Sequence, residues 1–136
     1  MQNVIDQVLS LKTWAVVGLS NNEFRAAYSV AELLKEKGHR IVPVHPNAEE
    51  VHGEKGYASL REIPFLIDVV DIFVNSSLVG PVIDEAISVG AKAIWLQLGV
   101  IDEEGVARAE KAGLLTVMNR CPAIEYGKRE RETPHP

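Results

Sequence analysis

Between Gly18 and Arg25 the chain reads Gly-Leu-Ser-Asn-Asn-Glu-Phe-Arg, a run whose residue types suit the binding of an anion. Glycine lets the backbone turn sharply or approach a ligand closely. Ser20, Asn21 and Asn22 carry short polar side chains that cap helices and hydrogen-bond locally. Arg25 offers a guanidinium fork for a phosphate. The run before it, Trp14 to Val17, is β-branched and aromatic and predicts a strand buried on both faces. A helix is expected over 26–37. Strand, glycine turn and helix N-terminus in that order present free N–H groups and a dipole that favour phosphate. A bland reading stands beside this one: a glycine used for turn geometry alone, and a solvated arginine. A cation at a helix start works against the dipole, which favours function over stability.

The remaining reactive residues are sparse. No Ser/His/Asp set and no paired carboxylates emerge from the spacing. His39, His52 and His135 read as surface residues, whereas His45 falls at the ligand edge, as a contact or as a structural residue. Asp102, Glu103 and Glu104 open a helix, where the dipole accounts for them. The lone cysteine, Cys121, excludes an internal disulfide and a multi-cysteine metal site.

The elements that must position these groups alternate. A short amphipathic helix over 3–11 precedes the first strand. Gly38 stops the first crossover helix, and 40–44 form the second strand, with Pro43 placed where that strand leaves the sheet. A poorly patterned connection over 54–64 is expected to hold one helical turn. Strands follow at 69–74, 93–98 and 114–118, with helices from about 79 to 89 and 101 to 112. Asn75, Ser76 and Ser77 cap the first of these helices. Five strands alternating with helices predict an α/β fold: a Rossmann-like, doubly wound, five-stranded parallel sheet in three layers. Ligands bind such sheets along the strand C-terminal edge.

The whole chain of 136 residues fits a single domain, with the tail from about residue 126 expected to be partly disordered. A net charge of −5 argues against a nucleic-acid partner, which would need a basic field. No apolar run approaches the ~20 residues that cross a bilayer, and the N-terminus lacks a signal-peptide layout. A cytoplasmic location is expected, without a membrane partner.

A dinucleotide site would carry G-x-G-x-x-G in the first turn and an acid closing the second strand. Here the turn has the single Gly18, and the second strand ends Val44-His45-Pro46-Asn47. Both features disfavour NAD, and no G-x-x-x-x-G-K-[ST] phosphate loop is present. Taken together, Gly18-x-Ser20 with Arg25, Pro43-Val-His-Pro-Asn47, Trp95-Leu-Gln-Leu-Gly99 and Asn119-Arg-Cys-Pro122 resemble the small stand-alone CoA-binding proteins. These are similar to the CoA-binding domain of the succinyl-CoA synthetase alpha subunit. The resemblance runs from about Thr13 to about Glu125.

It implies a Rossmann-like fold and coenzyme A or an acyl-CoA as the ligand. It assigns the nucleotide phosphates to Gly18, Leu19, Ser20 and Asn21 with Arg25. The adenosine falls to Pro46 and Asn47, with His45 beside them, and the pantetheine to Gln97 and Leu98. Asn75 and Ser76 lie on the same edge. Relatives often carry a lysine just after the second strand, where this chain has Asn47-Ala48. Cys121 reads either as a small buried thiol or as a group near the CoA thiol, with Arg120 favouring the thiolate.

Two main readings follow. One is a non-catalytic carrier or sensor of CoA. The other is an enzyme or NAD(P)-type nucleotide-binding domain with dispersed catalytic groups. A partner-binding module with an empty cleft is a third, and a homo-oligomer stays open.

Overall fold

The computed structural model describes residues 3–132. Helix α1 (Val4–Leu9) leads into strand β1 (Thr13–Val17), helix α2 (Ala26–Glu36) and strand β2 (Arg40–Val44). Strand β3 (Val69–Ile72), helix α3 (Val79–Ser88), strand β4 (Ala93–Leu96), helix α4 (Glu103–Lys111), strand β5 (Leu115–Met118) and helix α5 (Pro122–Glu132) complete the order. One 3-10 turn, Leu60–Glu62, interrupts the long β2–β3 connection, and another, Ser76–Leu78, precedes α3.

All five strands are parallel, in the order β2-β1-β3-β4-β5. The chain moves outward from β1 to β2, then crosses back to β3 on the other side. The strand order therefore reverses at β1, which is where open α/β sheets bind ligands. Central strands carry near-continuous apolar runs because helices cover both faces. On one face Val17, Val44, Ile72 and Leu96 meet α3 and α4. On the other, Trp14, Val16, Val69 and Trp95 meet α1, α2 and α5. The two buried indoles are satisfied, Trp14 donating to the Leu11 carbonyl and Trp95 to the Arg120 carbonyl, each at 2.9 Å.

Several details depart from the sequence reading. Pro43 sits mid-strand opposite Val16, not where β2 leaves the sheet. Its carbonyl accepts the Tyr57 N–H at 2.9 Å on the outer side of this edge strand, so the donor that proline lacks would have pointed away from β1.

His39 and His52 are not plain surface residues. The buried His39 bridges the Leu11 carbonyl (2.8 Å) and the Tyr126 hydroxyl (2.5 Å) and lies edge-on to Trp14. His52 packs on the Tyr28 ring and contacts the Tyr28 carbonyl at 2.8 Å.

The tail is helical through Glu132 where partial disorder is expected. Tyr126 packs on the α1/α2 face, and the buried Glu125 holds Arg129, which reaches Asp6 on α1 at 2.5 Å. The charged residues and late prolines of this tail predict disorder; a few anchoring contacts override them. Residues 133–136, with His135, lie outside the described residues.

Candidate ligand-binding site

Gly18 ends β1 with φ +101°, and a Cβ there would lie 2.8 Å from the Phe73 carbonyl oxygen. Only glycine meets both demands. Beyond it the loop organises itself. Ser20 Oγ accepts the Asn22 N–H at 3.3 Å, and Asn22 Oδ1 accepts the Phe24 N–H at 3.0 Å. Arg25 then takes the N-cap position of α2 in an extended conformation, with no side chain capping the helix. The first-turn N–H groups and the Arg25 guanidinium thus face the same end of the sheet.

These residues form one wall of a cavity of about 660 Å³, a size typical of small-ligand sites. A second wall comes from Val44, His45 and Pro46 at the end of β2. The third comes from Phe73, Val74 and Asn75 after β3, with Leu78, Val82 and Glu85 on one helical face. Ala58 and Ser59 close the remaining side.

Arg25 is the permanent cation among the lining residues, Glu85 the acid, and Phe73, Val74, Leu78 and Val82 supply apolar surface. Glu85 is already engaged, accepting the Leu60 N–H at 3.1 Å and lying 3.8 Å from Arg61 Nε. His45 Nδ1 accepts the Asn47 N–H at 3.1 Å. The lining suits a ligand with an anionic part and an apolar part.

Residues 12–127 match the model of a family described as a CoA binding domain. The chain belongs to that family. It is 34% identical over 115 residues to YneT of Bacillus subtilis, covering 85% of each chain. A solved structure from Pyrococcus horikoshii OT3 superposes with a TM-score of 0.87 at 39% identity, covering 91% of this chain and 88% of that one. The acetate–CoA ligase (ADP-forming) II subunit alpha of Pyrococcus furiosus is 31% identical over 132 residues. That match takes in 89% of this chain but only 29% of the ligase subunit.

In this member of the CoA binding domain family, Gly18, Ser20, Arg25, His45, Pro46 and Asn75 line the cavity. Other expected residues serve the frame. Leu19 is fully buried against α2. Asn21 turns away from the cavity: its side-chain amide donates to the Glu50 carbonyl at 2.9 Å and its N–H to Glu49 Oε1 at 3.3 Å. Asn47 is exposed on the following loop. Ser76 Oγ accepts the Ile101 N–H at 3.0 Å, tying the 3-10 turn before α3 to the β4–α4 loop.

Gln97 is buried with its Oε1 unpartnered, and Leu98 is 57% exposed; both sit past β4, away from the cavity walls. Cys121 is buried beside Trp95 and Val117 on the α1/α2/α5 face and does not line the cavity. Its placement follows from α5 folding back onto the sheet directly after β5.

The sequence reading missed Ser59, Phe73 and Glu85 among the lining residues and had Asn22 only as a local capping residue of the loop. Leu78, Val82 and Glu85 did carry a signal, being spaced as one face of a helix. Ala58 and Ser59 carried none. Phe24, between two lining residues, is 99% exposed. Among the described residues no group of three or more His, Cys, Asp or Glu is placed to hold a metal ion. No helix of the described residues is long and apolar enough to cross a membrane.

Proposed function

We propose that the chain binds coenzyme A or an acyl-CoA at the C-terminal edge of the sheet and does no chemistry on it. The nucleotide end enters the cavity, its diphosphate at the loop after Gly18 and the α2 N-terminus, with Arg25 as counter-charge. The adenosine then lies between His45–Pro46 and the Phe73–Val82 wall, and the pantetheine leaves toward Gln97 and Leu98. The carrying observation is the uncapped, arginine-bearing start of α2 opening onto a cavity of about 660 Å³ in a chain of this family.

A non-catalytic role is supported by how the cavity's ionisable groups are used. Glu85 holds the Leu60 amide and Arg61, and His45 holds its own loop. Neither forms an acid–base pair with the other residues that line the space. The matched ligase subunit extends far beyond the region shared with this chain. A cytoplasmic setting agrees with the single free, buried thiol.

Native mass spectrometry of the purified protein tests this reading. A mass increment of CoA or an acyl-CoA that disappears on denaturation is expected. A protein that stays bare when incubated with excess CoA contradicts it.

A further inference from the structure

We propose that the His45 imidazole, through its Nε2–H, holds the 3′-phosphate on the ribose of CoA, so that CoA binds more tightly than dephospho-CoA. The proposal rests on the CoA reading above and assigns the recognition of one of the ligand's phosphates.

Arg25 and His45 are the residues with basic side-chain nitrogens among those that line the cavity. CoA likewise carries phosphate at two separate points, the diphosphate and the ribose. The sheet sets the two residues on neighbouring strand ends. Val17 of β1 pairs with Val44 of β2, and the Gly18 N–H donates to the Val44 carbonyl at 2.8 Å. His45 therefore leaves the sheet beside the glycine turn, one strand spacing of about 5 Å away. In parallel nucleotide-binding sheets the diphosphate lies at the helix start after the first strand, and the end of the second strand meets the ribose. A ribose whose 5′ side follows the diphosphate at the turn brings its 3′ side to His45. Among the described residues no lysine lines the cavity. Once Arg25 serves the diphosphate, the imidazole is the basic group left for a ribose phosphate.

The ring is set for that contact. The His45 N–H donates to the Tyr57 carbonyl at 3.0 Å, and the His45 carbonyl accepts the Ala48 N–H at 2.8 Å. Nδ1 accepts the Asn47 N–H at 3.1 Å. A ring nitrogen that accepts an amide proton carries none of its own, so the neutral imidazole keeps its proton on Nε2. Among the described residues Nε2–H has no protein partner, and it is the one polar group of His45 in that state. The loop thus fixes both the tautomer and the ring, and leaves a donor free in a residue of the cavity wall.

Titration calorimetry with CoA and dephospho-CoA, on the native protein and on His45→Asn, tests the proposal. The asparagine oxygen takes the N–H two residues on, as in an Asx turn, so the loop keeps its tie while the Nε2–H is lost. The native protein is expected to bind CoA about tenfold more tightly than dephospho-CoA, the scale of a hydrogen bond to a charged group. His45→Asn should weaken CoA by about three- to tenfold and leave dephospho-CoA within about twofold. Native protein that binds both ligands equally, or dephospho-CoA more tightly, overturns the proposal while leaving CoA binding intact, and that comparison needs no variant. Equal losses of both ligands in His45→Asn also overturn it, since His45 then serves the loop alone, and so does an unchanged CoA affinity. If neither ligand binds the native protein, the CoA reading falls and this proposal with it.

Discussion

Replacing Gly18 with alanine probes the turn on which the site depends, and Gly113→Ala supplies its control. Both glycines have positive φ, +101° and +94°. A Cβ at Gly113 would meet nothing within 4 Å, whereas at Gly18 it would lie 2.8 Å from the Phe73 carbonyl oxygen and 3.2 Å from the Phe73 Cβ. Gly113→Ala therefore pays only for the left-handed backbone, about 1–2 kcal/mol. Gly18→Ala adds displacement of β3 backbone in a packed core, about 1–3 kcal/mol more. With an unfolding entropy near 2 cal/mol/K per residue, 1 kcal/mol corresponds to roughly 3–4 °C for a chain of this size. Calorimetry should show a Tm loss of about 4–7 °C for Gly113→Ala and about 7–18 °C for Gly18→Ala. Because Phe73 lines the cavity, CoA affinity should also fall in Gly18→Ala and hold in Gly113→Ala. Equal Tm losses in the two variants would refute the close approach at Gly18.

Arg25→Ala should weaken CoA binding by about 1–3 kcal/mol, the loss of a charge-assisted contact. It should leave Tm nearly unchanged, since Arg25 makes no capping bond; calorimetry reads both. Asp71, fully buried between Val16 and Trp95, has neither oxygen partnered, and burial pushes its carboxyl well above the ordinary 3.8. Because the folded state holds that proton more tightly, stability drops as pH rises above about 3.8. Asp71→Val should therefore raise Tm at pH 7, by removing an unpaired buried group worth about 1–3 kcal/mol, and the gain should shrink toward pH 4; a lower Tm at pH 7 would show that Asp71 has a partner. Burial lowers the His39 pKa below 6.5, so folding disfavours its proton. Stability should be full above that pH and decline below it, and a melting series across pH 5–7.5 that is flat in the native protein would contradict this.

The parallel sheet and its connections were legible because each element carries its own period. Trp14–Val17 and Ala93–Leu96 are apolar throughout, Val69–Ile72 is apolar but for Asp71, and glycines stop the helices between them. Part of the cavity was legible too, since Gly18, Ser20, Arg25, His45 and Pro46 lie in the loops that follow β1 and β2. What escaped depends on contacts between segments far apart in sequence. Asn21 resembles a phosphate ligand until the loop after β2 folds back and takes its amide. Glu49 resembles a solvated charge for the same reason. The α5 helix has little apolar surface of its own, and Tyr126 with the Glu125–Arg129–Asp6 chain makes up for that. Cys121 lies on a favourable edge in sequence, yet the turn into α5 buries it.

The central claim is that this site is built for CoA. Titration calorimetry of the native protein with CoA and with NAD, under one buffer and salt, tests it most directly. The single-glycine turn and the one-arginine phosphate end predict saturable binding of CoA, with an affinity clearly above that for NAD. Equal affinities, or tighter binding of NAD, would contradict the account.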